Sequence, residues 1–310
     1  MQTDLAVIGG SETHRLILSQ APPGRGSRIK NFFAIRKKLG RIKTPFGKSS
    51  PIFQIRINSD GRANDFLLLC RHGDKGYQIA APFVNYRANL YALKQLGVTK
   101  IIAWSGPGAL KKKYRVGELV LPDDLVDETK KREDTFFKNT GLGFVRQYPV
   151  FCPTLTGYLK KVLRERLIKF QSGGTYVCTE GPRLETPAEI KKFVSFGGDL
   201  VGMTLAPEVF LAKELEICYT ALCYVSNYAE GVYPGKKTFK PGVLFEGLLD
   251  GLDRKKLDET LNLFPQIFAK IIKAIAQPPK PKINCQCQSY LERYRKSGLI
   301  NKDWYKNFRD

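Results

Sequence analysis

Hydrophobic and polar positions along this chain alternate between two periods. Leu5–Ile8 is a short apolar run ended by Gly9 and Gly10, the pattern of a buried strand feeding a tight turn. Pro51–Ile57 alternates and Phe66–Cys70 is continuously apolar, which predicts two further strands. From Val84 the period becomes helical: Tyr86, Leu90 and Leu93 share one face, and Gly97 supplies the stop. Lys100–Trp104 reads as a strand again and ends at Ser105-Gly106-Pro107-Gly108. Beyond it the pattern predicts strands near 117–121, 174–179, 199–203 and 217–225, and helices near 154–169, 187–196, 206–215 and 255–276. Such alternation describes an α/β protein, a sheet with helices packed on it. Residues 25–43, with Arg36-Lys37-Lys38, read as a basic insertion forming a loop or surface helix. Gln277-Pro278-Pro279-Lys280-Pro281 reads as a linker, so a domain over 1–277 followed by a basic, Tyr-rich tail over 278–310 is expected.

Composition narrows the class. At 310 residues and 43% hydrophobic, the chain has enough apolar material for a sizeable core. No apolar run approaches the roughly 18 residues of a membrane helix, and the segment after Met1 has no basic region followed by a cleavage site. A cytoplasmic protein with no membrane partner is expected. The seven cysteines are scattered apart from Cys285-Gln286-Cys287, a spacing of neither a zinc finger nor a small disulfide scaffold, so buried thiols and no metal are expected. The net charge of +22 is concentrated at the ends: residues 1–50 hold 10 basic and 2 acidic residues, and 278–310 hold 8 and 3. These stretches lack a zinc-finger spacing, a basic-zipper heptad or an aromatic RNA-binding signature. Nucleic-acid binding is therefore kept only as an alternative.

Candidate chemistry gathers where strands stop. Gly47-Lys48-Ser49 resembles the end of a phosphate-binding loop, but Ile42 stands where such a loop needs glycine, and it reads as a turn. Gly9-Gly10-Ser11 and Ser105-Gly106 can bring backbone N–H groups and a hydroxyl to an anion. Arg71-His72-Gly73 places a guanidinium at the end of an apolar strand, suited to a bidentate oxyanion contact. Thr179–Glu189, Gly202-Met203-Thr204 and Ser226-Asn227-Tyr228 follow three more strands. Each stretch alone is an ordinary loop start. Together they place Ser, Arg, Glu, Thr and Asn at the carboxyl ends of strands, where open α/β sheets bind ligands.

Val84-Asn85-Tyr86-Arg87-Ala88-Asn89-Leu90, Arg71-His72-Gly73, the Glu180–Glu189 run and Gly202-Met203-Thr204-Leu205-Ala206-Pro207-Glu208 occur in an order that resembles the trimeric purine nucleoside phosphorylases. The likeness is strongest to their methylthioadenosine and methylthioinosine phosphorylase branch and runs from residue 5 to about 276. It implies the nucleoside phosphorylase fold around a central mixed β-sheet, a homotrimer, and phosphate-dependent cleavage of a purine nucleoside. No metal or organic cofactor is implied, and inorganic phosphate is the co-substrate. Carried over by position, Ser11, Arg71, His72, Ser105, Gly106 and Thr204 would bind phosphate, and Met203 would lie against the ribose.

The base-binding pair carries the specificity. The methylthioadenosine branch has aspartates where this chain has Ser226-Asn227-Tyr228-Ala229. The Asn227 amide can donate to N7 and O6 of a 6-oxopurine, and Glu185 as a carboxylate can accept from N1–H, which adenine lacks. Inosine, guanosine or 5′-methylthioinosine is therefore the expected substrate, with S-methyl-5′-thioadenosine as the alternative. Three positions depart from the family pattern. Glu12 follows the first glycine turn, no histidine occurs in Asp74-Lys75-Gly76-Tyr77, and Pro107 lacks an N–H. They motivate a different-class alternative, a nucleoside- or nucleic-acid-binding protein with weakened catalysis.

Overall fold

The computed structural model describes residues 3–10, 13, 33–57, 64–232, 242, 249–276 and 285–308. Its strands in chain order are β1 (Leu5–Gly9), β2 (Phe33–Gly40), β3 (Lys43–Thr44), β4 (Gly47–Lys48), β5 (Ile52–Ile57), β6 (Asn64–Cys70), β7 (Lys100–Ser105) and β8 (Gly108–Ala109). They continue with β9 (Leu119–Leu121), β10 (Asp124–Glu128), β11 (Phe170–Ser172), β12 (Thr175–Thr179), β13 (Leu200–Gly202), β14 (Cys218–Tyr224) and β15 (Asn227–Tyr228). The α-helices are α1 (Tyr86–Gln95), α2 (Pro153–Glu165), α3 (Pro187–Ser195), α4 (Glu208–Glu214), α5 (Gly251–Ala276) and α6 (Glu292–Lys296).

The principal sheet has eight strands in the order β11-β9-β14-β7-β1-β6-β5-β2. At its centre β14, β7, β1 and β6 are mutually parallel, while along one edge β5 runs antiparallel to β6 and β2 antiparallel to β5. Every residue of β1, β7 and β14 is buried, as expected for strands covered on both faces. A second sheet, β10-β12-β13-β8-β15, packs the remaining site loops. Because the four central strands are parallel, Gly9, Cys70, Ser105 and Tyr224 all end at the same edge. That edge is where the polar loops begin.

Local signals place the helices. Asn85 caps α1 by accepting from the Ala88 N–H at 3.0 Å, and Gly97, at φ 86°, ends the turn beyond it. Thr186 and Glu189 form a reciprocal capping box at the start of α3, with Pro187 in its first turn. Two expectations change. Residues 33–40 of the basic insertion are not loop or helix but the edge strand β2, paired antiparallel with β5 and kept soluble by exposed Arg36, Lys37 and Lys38. The other residues of the insertion that precede it, 25–32, lie outside the described residues, as does the linker over 277–281. Residues 285–308 do more than trail: Cys287, Leu291, Tyr294 and Trp304 are buried, and Trp304 stacks on Phe137 with ring centroids 4.4 Å apart. Arg295 donates to both carboxylate oxygens of Glu216 at 2.8 Å, fixing the segment beside β14.

Candidate active site

One cavity of about 200 Å³ opens at the carboxyl edge of the parallel strands. Arg71, His72, Ser105, Gly106, Met203, Thr204, Glu185 and Asn227 all line it. Ser11 and its neighbour Glu12 lie outside the described residues, while Gly10 forms part of the wall.

Arg71 is fully buried. Its Nε and Nη2 donate to the two carboxylate oxygens of Glu208, both at 2.8 Å, and the Tyr219 hydroxyl donates to Glu208 Oε1 at 2.7 Å. Burial alone would lower the guanidinium's affinity for its proton, but the charge and hydrogen bonds of Glu208 outweigh it and hold Arg71 above its usual value. The third nitrogen, Nη1, is buried without a hydrogen-bond partner among the described residues. It lies 4.0 Å from where a side chain on Gly10 would begin. An unsatisfied buried N–H of a charged group is costly, and an anion in the cavity would remove that cost.

His72 is held differently. Its Nδ1 is 2.8 Å from the Ile79 carbonyl and its ring tilts against Tyr77 at 4.5 Å. Burial, and then the Arg71 charge, push its pKa down to about 4. The imidazole is thus neutral at pH 7, with its one proton on Nδ1 facing the carbonyl, and Nε2 is left as an acceptor. Around the Ser105 hydroxyl, Tyr176 OH stands at 3.2 Å and Thr204 Oγ1 at 3.1 Å, a cluster of rotatable donors. The glycines here leave room for rings. A side chain at Gly106 would meet Tyr224 at 2.5 Å, and one at Gly202 would collide with the Tyr176 hydroxyl.

At the other end, Thr179 Oγ1 donates to Glu185 Oε1 at 2.5 Å. Asn227 sits in β15 beside β8, where Ser226 Oγ donates to its Oδ1 at 2.6 Å and its Nδ2 donates to the Tyr228 carbonyl at 2.9 Å. One amide N–H therefore remains for a ligand, rather than the two that simultaneous donation to N7 and O6 would use.

Residues 5–250 match the model of the phosphorylase superfamily. The chain belongs to that superfamily. The probable 6-oxopurine nucleoside phosphorylase of Dictyoglomus turgidum is 38% identical over 265 residues, covering 84% of this chain and 91% of the relative. The probable S-methyl-5′-thioinosine phosphorylase of Methanopyrus kandleri is 37% identical over 294 residues, covering 94% and 98%. Among solved structures, a methylthioadenosine phosphorylase from an antarctic soil metagenomic library superposes with a TM-score of 0.74 at 28% identity, covering 94% of this chain and 91% of that one.

Several residues of this phosphorylase-superfamily site carried no functional reading in sequence. Glu208 opens α4 and is given no role of its own by the sequence, yet it is the anchor of Arg71. Arg132 follows a charged stretch, yet its side chain is almost wholly buried. Its Nη1 donates to the Met203 and Ala206 carbonyls at 2.7 and 2.6 Å, and its Nη2 to those of Thr179 and Glu180 at 3.1 and 2.6 Å. Tyr176 gave no signal beyond a strand's apolar face.

Proposed function

We propose that this protein is a purine nucleoside phosphorylase that cleaves 6-oxopurine nucleosides, with inorganic phosphate as co-substrate. The observation that carries the reading is the buried Arg71, anchored through two nitrogens with the third unpartnered among the described residues, beside a glycine turn and two hydroxyls. Phosphate would bind there, taking hydrogen bonds from Arg71 Nη1, Ser105 and Thr204. With the Nδ1 proton of its neutral ring spent on Ile79, His72 supplies a main-chain N–H or accepts a hydroxyl proton through Nε2. The nucleoside would lie across Met203 with its base between Glu185 and Asn227.

In that arrangement a phosphate oxygen forms a bond to the anomeric carbon while the bond from that carbon to N9 breaks. The electron pair of the broken bond goes to the purine. Phosphate stabilises the positive charge growing on the sugar, and the Asn227 N–H, directed at N7, stabilises negative charge on the leaving base, which takes its proton from solvent. Holding both reactants in one cavity replaces a bimolecular encounter. Glu185 accepts from N1–H of hypoxanthine or guanine, whereas adenine would set a lone pair against a carboxylate oxygen.

Phosphate-dependent base release should be measured with inosine, guanosine, 5′-methylthioinosine and S-methyl-5′-thioadenosine. Activity on the first three with little on the fourth is expected, and preference for the adenine compound would overturn the base assignment. A cytoplasmic homotrimer is part of the same reading. Its support is the exposed aromatic pair Tyr77, at the cavity mouth, and Phe83, 74% exposed six residues further on. Sedimentation at three times the chain mass tests it.

A further inference from the structure

We propose that Cys152, Cys218, Cys285 and Cys287 form a structural site for one zinc ion, which fastens the C-terminal segment to the sheet. Their four Sγ atoms all lie within 4.8 Å of one another, and three of the four residues are buried. Four thiolates at about 2.3 Å from a tetrahedral zinc stand roughly 3.8 Å apart, and Cys218 Sγ is 3.5 Å from Cys285 Sγ. Small side-chain rotations therefore convert the cluster into a tetrahedral set.

The ligands come from three distant parts of the fold. Cys152 caps α2, where the Leu155 N–H already donates to its sulfur at 3.4 Å. Cys218 begins β14, and Cys285 and Cys287 precede and open the short turn before α6. No linear motif could reveal such a site. The surroundings suit an anionic tetrathiolate, which carries two net negative charges once four protons have left for solvent. Lys100 shares the lining of a small cavity with Cys152 and Cys218, and Lys213 is close enough to Cys287 to feel its charge. Four sulfurs all within 4.8 Å of one another surround a single ion more closely than they could an iron–sulfur cluster with its bridging sulfides. Four protein ligands leave no open position, so the ion's task is structural.

The full-length protein should be purified anaerobically with a reductant, stripped of metal, and titrated with zinc against a chromophoric chelator and, separately, with cobalt. Withdrawal of one zinc per chain, together with the intense visible bands of tetrahedral cobalt thiolate, is the expected result. The double variant C285S/C287S should bind less than a tenth as much zinc at the same chelator concentration. Its folding is checked by circular dichroism. Since the wild-type titration needs no variant, a variant that fails to fold leaves the test intact. Absence of stoichiometric zinc, equal uptake by a folded variant, iron in place of zinc, or disulfides joining these four cysteines in the anaerobic protein would each overturn the proposal.

Discussion

Arg71 and Glu208 show how a single buried pair can organise a site. Two charges removed from water survive only because their geometry is bidentate and Tyr219 satisfies the carboxylate further. Glu208→Gln leaves a buried guanidinium without its counter-charge. It should cost about 3–5 kcal/mol of folding stability, read from denaturant midpoints, and raise the KM for phosphate. Glu185→Gln acts at the other end of the cavity. It should lower kcat/KM for inosine by about 10- to 100-fold, the worth of a charged hydrogen bond, with a smaller loss for any residual adenosine cleavage. His72 gives a pH signature. The unfolded ring takes a proton near its ordinary value of about 6.5, the folded ring only at about 4. Between those values the unfolded state binds more protons, so stability falls as the pH falls through that window. Thermal melts from pH 7 to pH 4 should show a steeper fall for wild type than for His72→Asn.

At the scale of elements, the loops were legible because most predicted strands were followed by glycine or a polar residue, and parallel strands bring such ends together. Ser105, Thr204, Glu185 and Asn227 were found in this way. Glu208 and Arg132 were not, because a charge destined for burial is written with the same residue as one destined for solvent. Only long-range packing separates them. The strands β10 and β2 escaped for a related reason: Asp124–Glu128 and Phe33–Gly40 are edge or half-exposed strands whose charges interrupt the alternation. Close packing of loop on strand supplies a further test. Gly202→Ala would drive a methyl group into the hydroxyl of Tyr176, whose ring is fully buried. Displacing that ring breaks its contact with Ser105, so the KM for phosphate should rise severalfold while circular dichroism stays that of the folded protein.

For the molecule as a whole, the basic C-terminal segment proves to be a structural cover. Leu291, Tyr294 and Trp304 are each buried, and each large apolar side chain withdrawn from water contributes about 1.5–3 kcal/mol. Removing residues 282–310 should therefore lower the melting temperature markedly or give insoluble protein. A tail serving solubility alone would leave the melting temperature unchanged. Its sequence hid this role, since Lys and Arg between the aromatic residues read as a solvated extension. Glu214 adds a second pH dependence with the opposite sign. Burial raises its pKa to about 7, against hydrogen bonds from the Phe136 N–H and Thr135 that favour the carboxylate. Folded protein then holds a proton that the unfolded chain has released above about 4.5, so this group's contribution to stability declines as pH rises towards 7. The difference in melting temperature between wild type and Glu214→Gln across that range measures it.

Arg132 grips carbonyls from two loops at once, Thr179 and Glu180 on one side, Met203 and Ala206 on the other. A single cation thus ties the segment leading to Glu185 and the segment carrying Met203 into one body, so neither can yield alone. Occupying either half of the cavity should slow amide exchange in both segments together, and replacing that arginine should let them exchange independently.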